Sequence, residues 1–138
     1  MFSNSNKMKR ILILLPAILF TVLSMQAQET GKGGPEMTFE KTIHDFGEIP
    51  FKGEPRTTEF KFTNTGGEPL VILRTQLSCT CLEAEYPRKP VAPGESGIIK
   101  VTYTAKKETG EFQNTVKVVT NSEVKTYTLF IDCTVLKK

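Results

Sequence analysis

Tyr127, Leu129, Ile131, Cys133 and Val135 occupy every second position near the end of the chain, with mostly polar residues between them. Successive side chains of a strand point to opposite faces, so this spacing requires a strand with one packed face. A helix would scatter the same five side chains around its circumference. The pattern recurs upstream. Phe60 and Phe62 alternate with Glu59 and Lys61, and Ile99, Val101 and Tyr103 alternate with Lys100 and Thr102. Phe112, Asn114, Val116 and Val118 share a third such face. Between the runs stand turn residues: Asn64-Thr65-Gly66-Gly67-Glu68-Pro69, the prolines at 87, 90 and 93, Glu108-Thr109-Gly110 and Asn121-Ser122. Short strands punctuated every ~8–12 residues predict an all-β sandwich. With segments around Met37–Phe39, Phe46–Ile49 and Leu70–Leu73, about seven or eight strands are expected. The inward phase predicts a core of Phe60, Phe62, Ile99, Val101, Val116, Val118, Leu129 and Ile131. The last two long strands should pair as an antiparallel hairpin across Asn121.

The first 27 residues read differently. Lys7, Lys9 and Arg10 precede an almost wholly apolar run from Ile11 to Leu23, and small residues reach to Ala27. That run falls short of the ~20 residues a membrane-spanning helix needs. It is expected to be a signal peptide, residues 1–27, removed after export. Residues 28–36 carry Gly31, Gly33, Gly34 and Pro35 and read as a flexible leader. Residues 37–138 form the single folded domain. Removal of the signal takes three of the 18 basic residues and no acid, leaving 15 of each sign. No basic field then remains for nucleic acid, and no stable membrane insertion is expected. A periplasmic or secreted location follows.

Five motifs occur in a fixed order: His44-Asp45-Phe46-Gly47, Phe60-Lys61-Phe62-Thr63-Asn64-Thr65-Gly66, Ser78-Cys79-Thr80-Cys81-Leu82, Ala92-Pro93-Gly94-Glu95 and Gly110-Glu111-Phe112. In this order they resemble the DUF1573 family of exported bacterial domains of unknown function, across nearly all of residues 37 to 136. The resemblance implies an immunoglobulin-like antiparallel β-sandwich, related in architecture to Hydin-type and pilus-chaperone-like domains. It implies no activity. One departure stands out: Thr80 and Leu82 replace the glycine and threonine usual in the family, which bears on any function needing a glycine-dependent backbone there.

The cysteines carry the chemistry worth weighing. An exported protein usually pairs its thiols, but three cysteines cannot all pair within one chain. In an extended strand, residues two apart lie ~6.6–6.8 Å apart, at the limit for a disulfide, so a Cys79–Cys81 bond requires a sharp turn. Cys133 falls on an inward strand face and is expected to be a buried free thiol; a bridge from it to Cys79 or Cys81 is the alternative. Cys79 and Cys81, with His44, are weak candidates for a soft-metal site holding copper or zinc, which lacks a second ligand pair of the usual spacing. Redox exchange normally uses a Cys-x-x-Cys pair at a helix N-terminus, and neither is present. His44 and Asp45 are neighbours on a strand and point apart, so they form no catalytic dyad. No catalytic residue and no cofactor is expected. The chain reads as a non-enzymatic exported domain that binds or scaffolds a protein or other envelope macromolecule. The alternative is a cysteine-dependent metal or redox accessory protein using Cys79 and Cys81.

Overall fold

The structure, a computed structural model, describes residues 33–106 and 108–137. The expected signal peptide lies outside the described residues. Eight strands follow in order: β1 (Met37–Phe39), β2 (Ile43–Pro50), β3 (Arg56–Asn64), β4 (Ile72–Leu77), β5 (Leu82–Glu85), β6 (Ser96–Tyr103), β7 (Gly110–Thr120) and β8 (Thr126–Leu136). They form two four-stranded sheets, ordered β1-β3-β6-β5 and β2-β8-β7-β4. This is the sandwich anticipated from the alternation. All eight residues assigned to the core are fully buried, at 0% exposure. Phe62 also meets Phe39, with ring centroids 6.0 Å apart. The β7–β8 hairpin pairs in register from Gly110↔Val135 to Val119↔Thr126, closing over residues 121–125.

Pairing is antiparallel throughout except at β2, which runs parallel to β8. The exception explains the His-Asp-Phe-Gly motif. The register of β2 against β8 shifts between Asp45 and Glu48. Gly47 sits inside that bulge with φ of 67°, a left-handed conformation that costs glycine little. Its N–H donates to Asp45 Oδ1 at 2.7 Å, so the aspartate stabilises the kink. The bulge returns Ile49 to the core, where it is 1% exposed. Phe46 stacks near Tyr103 with centroids 6.5 Å apart.

The second motif does more than turn the chain. Asn64 continues the inward phase of Phe60 and Phe62 and is fully buried. Its Oδ1 accepts from Gly66 N–H at 3.0 Å and Glu36 N–H at 3.4 Å. Its Nδ2 donates to the carbonyls of Glu68 at 2.7 Å and Val91 at 2.9 Å. One side chain thus joins the β3 end, the following turn, the segment before β6 and the approach to β1. Gly66 is packed so closely on the backbone of Gly34 to Glu36 that a Cβ there would collide with it. Thr65 N–H donates to Glu36 O and Gly67 N–H to Gly34 O, both at 2.9 Å. Gly34 to Glu36, placed in the leader from sequence, are therefore hydrogen-bonded onto the fold.

Candidate functional site

β4 belongs to one sheet and β5 to the other, so residues 78–81 cross from sheet to sheet at the edge of the sandwich. Ser78 ends β4. Its N–H donates to Thr115 O at 3.0 Å, and its Oγ accepts from Thr115 N–H at 2.8 Å in place of a backbone carbonyl. The chain then turns tightly, with Leu82 N–H donating to Cys79 O at 3.2 Å. Thr104 N–H donates to Cys81 O at 2.8 Å and fixes the far end on β6. The turn draws the Cα atoms of Cys79 and Cys81 to 5.1 Å, and the two residues form a disulfide. Thr80 is not among the residues with positive φ, so this turn does not need the glycine usual in the family.

The bond closes a loop of only three residues. In the chain-entropy account such a short loop adds about 1.5 kcal/mol, roughly half of what a 15-residue loop gives. It ties no distant segments together. Cys81 belongs to the buried core cluster and Cys79 packs against it. The disulfide lies on the wall of a cleft of about 250 Å³, shared with Tyr103, Lys106, Glu108 and Phe112. Cys79 is half-buried, Thr80 is exposed, and Cys81 is buried at 8% exposure. Cys81 N–H donates to Cys79 Sγ at 3.0 Å. Lys106 Nζ donates to Thr80 O at 3.2 Å, which holds an ammonium on the loop.

Cys133 is free and buried, as its place in β8 implied, and forms no bridge to the pair. Burial raises the pKa of its thiol; the neighbouring Tyr103 side chain pulls the other way, and Asp45 and Asp132 raise it further. Tyr103 is raised as well, by burial first and then by Cys133. Tyr103 thus lines the cleft and is coupled to the buried thiol.

His44 is not brought to the cysteines. It packs edge-on against Phe46 with centroids 4.6 Å apart, and its Nδ1 lies 3.2 Å from Lys41 Nζ. Partial burial and the Lys41 charge lower its pKa, with Asp45 acting in the opposite sense. Among the described residues, no three His, Cys, Asp or Glu side chains gather where they could hold a metal ion. Cys79, Cys81 and His44 therefore do not form one cluster. Sequence reasoning missed the roles of Ser78 and Asn64, placing the first only within a motif and the second in a turn. Asn64 carried a usable signal, since it shares the phase of Phe60 and Phe62. Lys106 carried none, because its neighbour in space is 26 residues away.

The family model described as "Protein of unknown function (DUF1573)" matches residues 37–135. The chain belongs to this family. The match begins at β1 and ends on the last buried residue of β8, so it spans both sheets of the sandwich. No curated protein matches the chain. Among solved structures, it is similar to a protein of unknown function from Porphyromonas gingivalis W83, with a TM-score of 0.63 and 16% identity. That match covers 80% of this chain and 51% of the other. The secreted serine protease VesC from Vibrio cholerae matches with a TM-score of 0.57 and 14% identity, over 80% of this chain and 24% of VesC. The seventh PapD-like domain of human CEP192 matches with a TM-score of 0.57 and 8% identity, over 76% of this chain and 88% of that domain. At these identities the likeness is one of fold. The DUF1573 chain spans about half the length of the P. gingivalis protein and about a quarter of VesC.

Proposed function

We propose that this DUF1573 domain is a non-enzymatic, exported binding module of the cell envelope, which takes an extended segment of a partner protein along the free edge of β4. The observation that carries this reading is the state of the four sheet edges. Exposed edges are normally blunted by shortness, charge or bulges. β1 has three residues, β2 is bulged at Asp45/Glu48, and β5 has four residues with Glu83 and Glu85 exposed. Among the described residues β4 is hydrogen-bonded to β7 alone, and past its bulge at Ile72/Arg74 it runs regularly from Arg74 to Leu77. Ser78 N–H faces β7, so by alternation the N–H and C=O groups of Thr75 and Leu77 face outward. Leu73 and Leu77 are 55% and 38% exposed and offer apolar contact to an added strand. Strand addition uses such a combination: main-chain bonds for affinity and alternate side chains for selectivity.

Thr75→Pro removes an outward N–H at a position where an edge strand tolerates proline. Leu77→Lys places a charge on the same edge. Crosslinking in intact envelopes followed by affinity capture should recover adducts with the unaltered protein and lose them with both variants, each shown folded by circular dichroism. Equal adducts from all three would refute the edge reading. N-terminal sequencing of the exported protein, expected to begin near Gln28, tests the export.

A further inference from the structure

The cleft at the sheet-to-sheet crossover suggests chemistry separate from strand addition. We propose that the Cys79–Cys81 disulfide is an exchangeable one that oxidises the dithiol of a partner protein or peptide, with Cys79 as the sulfur attacked. Four features support the assignment. The bond joins residues two apart and closes no long loop, so breaking it releases no distant segment. It lines a cleft at the border of the core, with Cys79 the more exposed residue and Cys81 behind it in the core cluster. Negative charge on Cys79 Sγ is met by Cys81 N–H, already 3.0 Å away. Lys106, bonded to the carbonyl of Thr80, adds a cation to the same loop, and nearby cations favour thiolates. Glu108 also lines the cleft and opposes Lys106. The third thiol does not compete, because Cys133 is buried at 4% exposure.

The exchange balances in two steps. A partner thiolate attacks Cys79 Sγ, a partner–Cys79 disulfide forms, and the Cys79–Cys81 bond breaks. Its electron pair leaves on Cys81 Sγ, which takes a proton from solvent. The partner's second thiolate then attacks the partner sulfur of the mixed disulfide. Cys79 leaves with the electron pair, supported by Cys81 N–H, and is protonated. The partner dithiol has lost two electrons and become a disulfide; Cys79 and Cys81 have gained them and become thiols. Ser78, Leu82 and Thr104 anchor the loop through bonds that do not involve sulfur, so the fold survives reduction.

Reduced glutathione serves as the probe on the full exported protein, with free thiols alkylated at intervals and located by mass. The disulfide is expected to open at millimolar glutathione while circular dichroism stays that of the folded sandwich, with the mixed disulfide on Cys79. Lys106→Gln should slow the reaction and Glu108→Gln should hasten it, each by about three- to tenfold, as charges beside a thiolate do. Both residues are exposed, so neither change threatens folding. A disulfide that persists under these conditions, a glutathione adduct on Cys81 or Cys133, or rates unmoved by both substitutions would each overturn the assignment.

Discussion

Asn64→Ala should be among the most damaging single substitutions in the domain, although it removes only a small polar side chain. Four hydrogen bonds disappear, to Glu36, Gly66, Glu68 and Val91. The bonds to Gly66 N–H and Val91 O are buried; the other two are partly buried. A buried group left without a partner costs ~1–3 kcal/mol, and a partly exposed one that can turn to water costs about 0.5. Val91 O keeps the bond it accepts from Leu70 N–H, so Gly66 N–H is the buried group left bare. The sum is about 2.5–4.5 kcal/mol, a large share of the ~5–15 kcal/mol that holds a domain together. At a urea slope of ~2 kcal/mol/M, the unfolding midpoint falls by roughly 2 M. Asn64→Asp separates hydrogen bonding from packing, because its shape is unchanged. At pH 7 its carboxylate would face the carbonyls of Glu68 and Val91 in place of a donor, and it should be worse than alanine. Burial and those carbonyls raise the folded-state pKa of that aspartate above its unfolded value. The sign follows: the penalty is full above the folded pKa and shrinks as pH falls through it, so this variant gains relative stability on acidification. A loss under ~1 kcal/mol for Asn64→Ala, or an Asn64→Asp protein no weaker than it at pH 7, would refute the hub role.

Phe62→Ala and Ile131→Ala each remove a fully buried side chain and should cost about 2–5 kcal/mol in urea unfolding. Cys79→Ser combined with Cys81→Ser should cost no more than ~1.5 kcal/mol, because the loop it opens is so short; a loss of 3 kcal/mol or more, about what a long loop gives, would contradict the local role. In the folded, reduced protein, iodoacetamide should label Cys133 far more slowly than Cys79, since burial and a raised pKa both suppress its thiolate. His44 has a lowered pKa, so folding favours its neutral form and the associated stability is present above the ordinary value of 6.5. That stability is lost as pH falls through the folded pKa, a dependence that His44→Gln should remove from a denaturation series.

The legible parts of this fold are those in which one strand's pattern reports its own burial. Phe60, Phe62, Leu129 and Ile131 could be placed inside because alternation is local and both sheets have a packed face. The parallel pairing of β2 with β8 could not, because strand direction in a sheet depends on crossovers that leave no mark on either strand. His44-Asp45-Phe46-Gly47 was visible as a motif but not as a bulge, since the kink exists only relative to the partner strand. At the cysteines, extended-strand spacing argued against a bond. The observed turn shortens the Cα separation to 5.1 Å, and that turn is held by Thr115 and Thr104, both remote in sequence.

The crossover places the two proposed activities next to each other. β4 offers its outward main-chain groups up to Leu77, Ser78 ends the strand, and the disulfide begins one residue later. An extended segment added along β4 would therefore run either toward or away from Cys79, and strands rise ~3.3 Å per residue. A thiol one or two residues beyond the paired stretch of such a segment would arrive at the cleft without further search. Binding at the edge would then raise the local concentration of that thiol near Cys79, as linked sites do. A segment paired on β4 but lacking cysteine would be held without reaction. On the two proposals together, the edge would choose the partner and the disulfide would act only on partners that carry a thiol in that register. The Ser78–Thr115 pair keeps the two parts in fixed relation through either redox state, because none of its bonds involves sulfur.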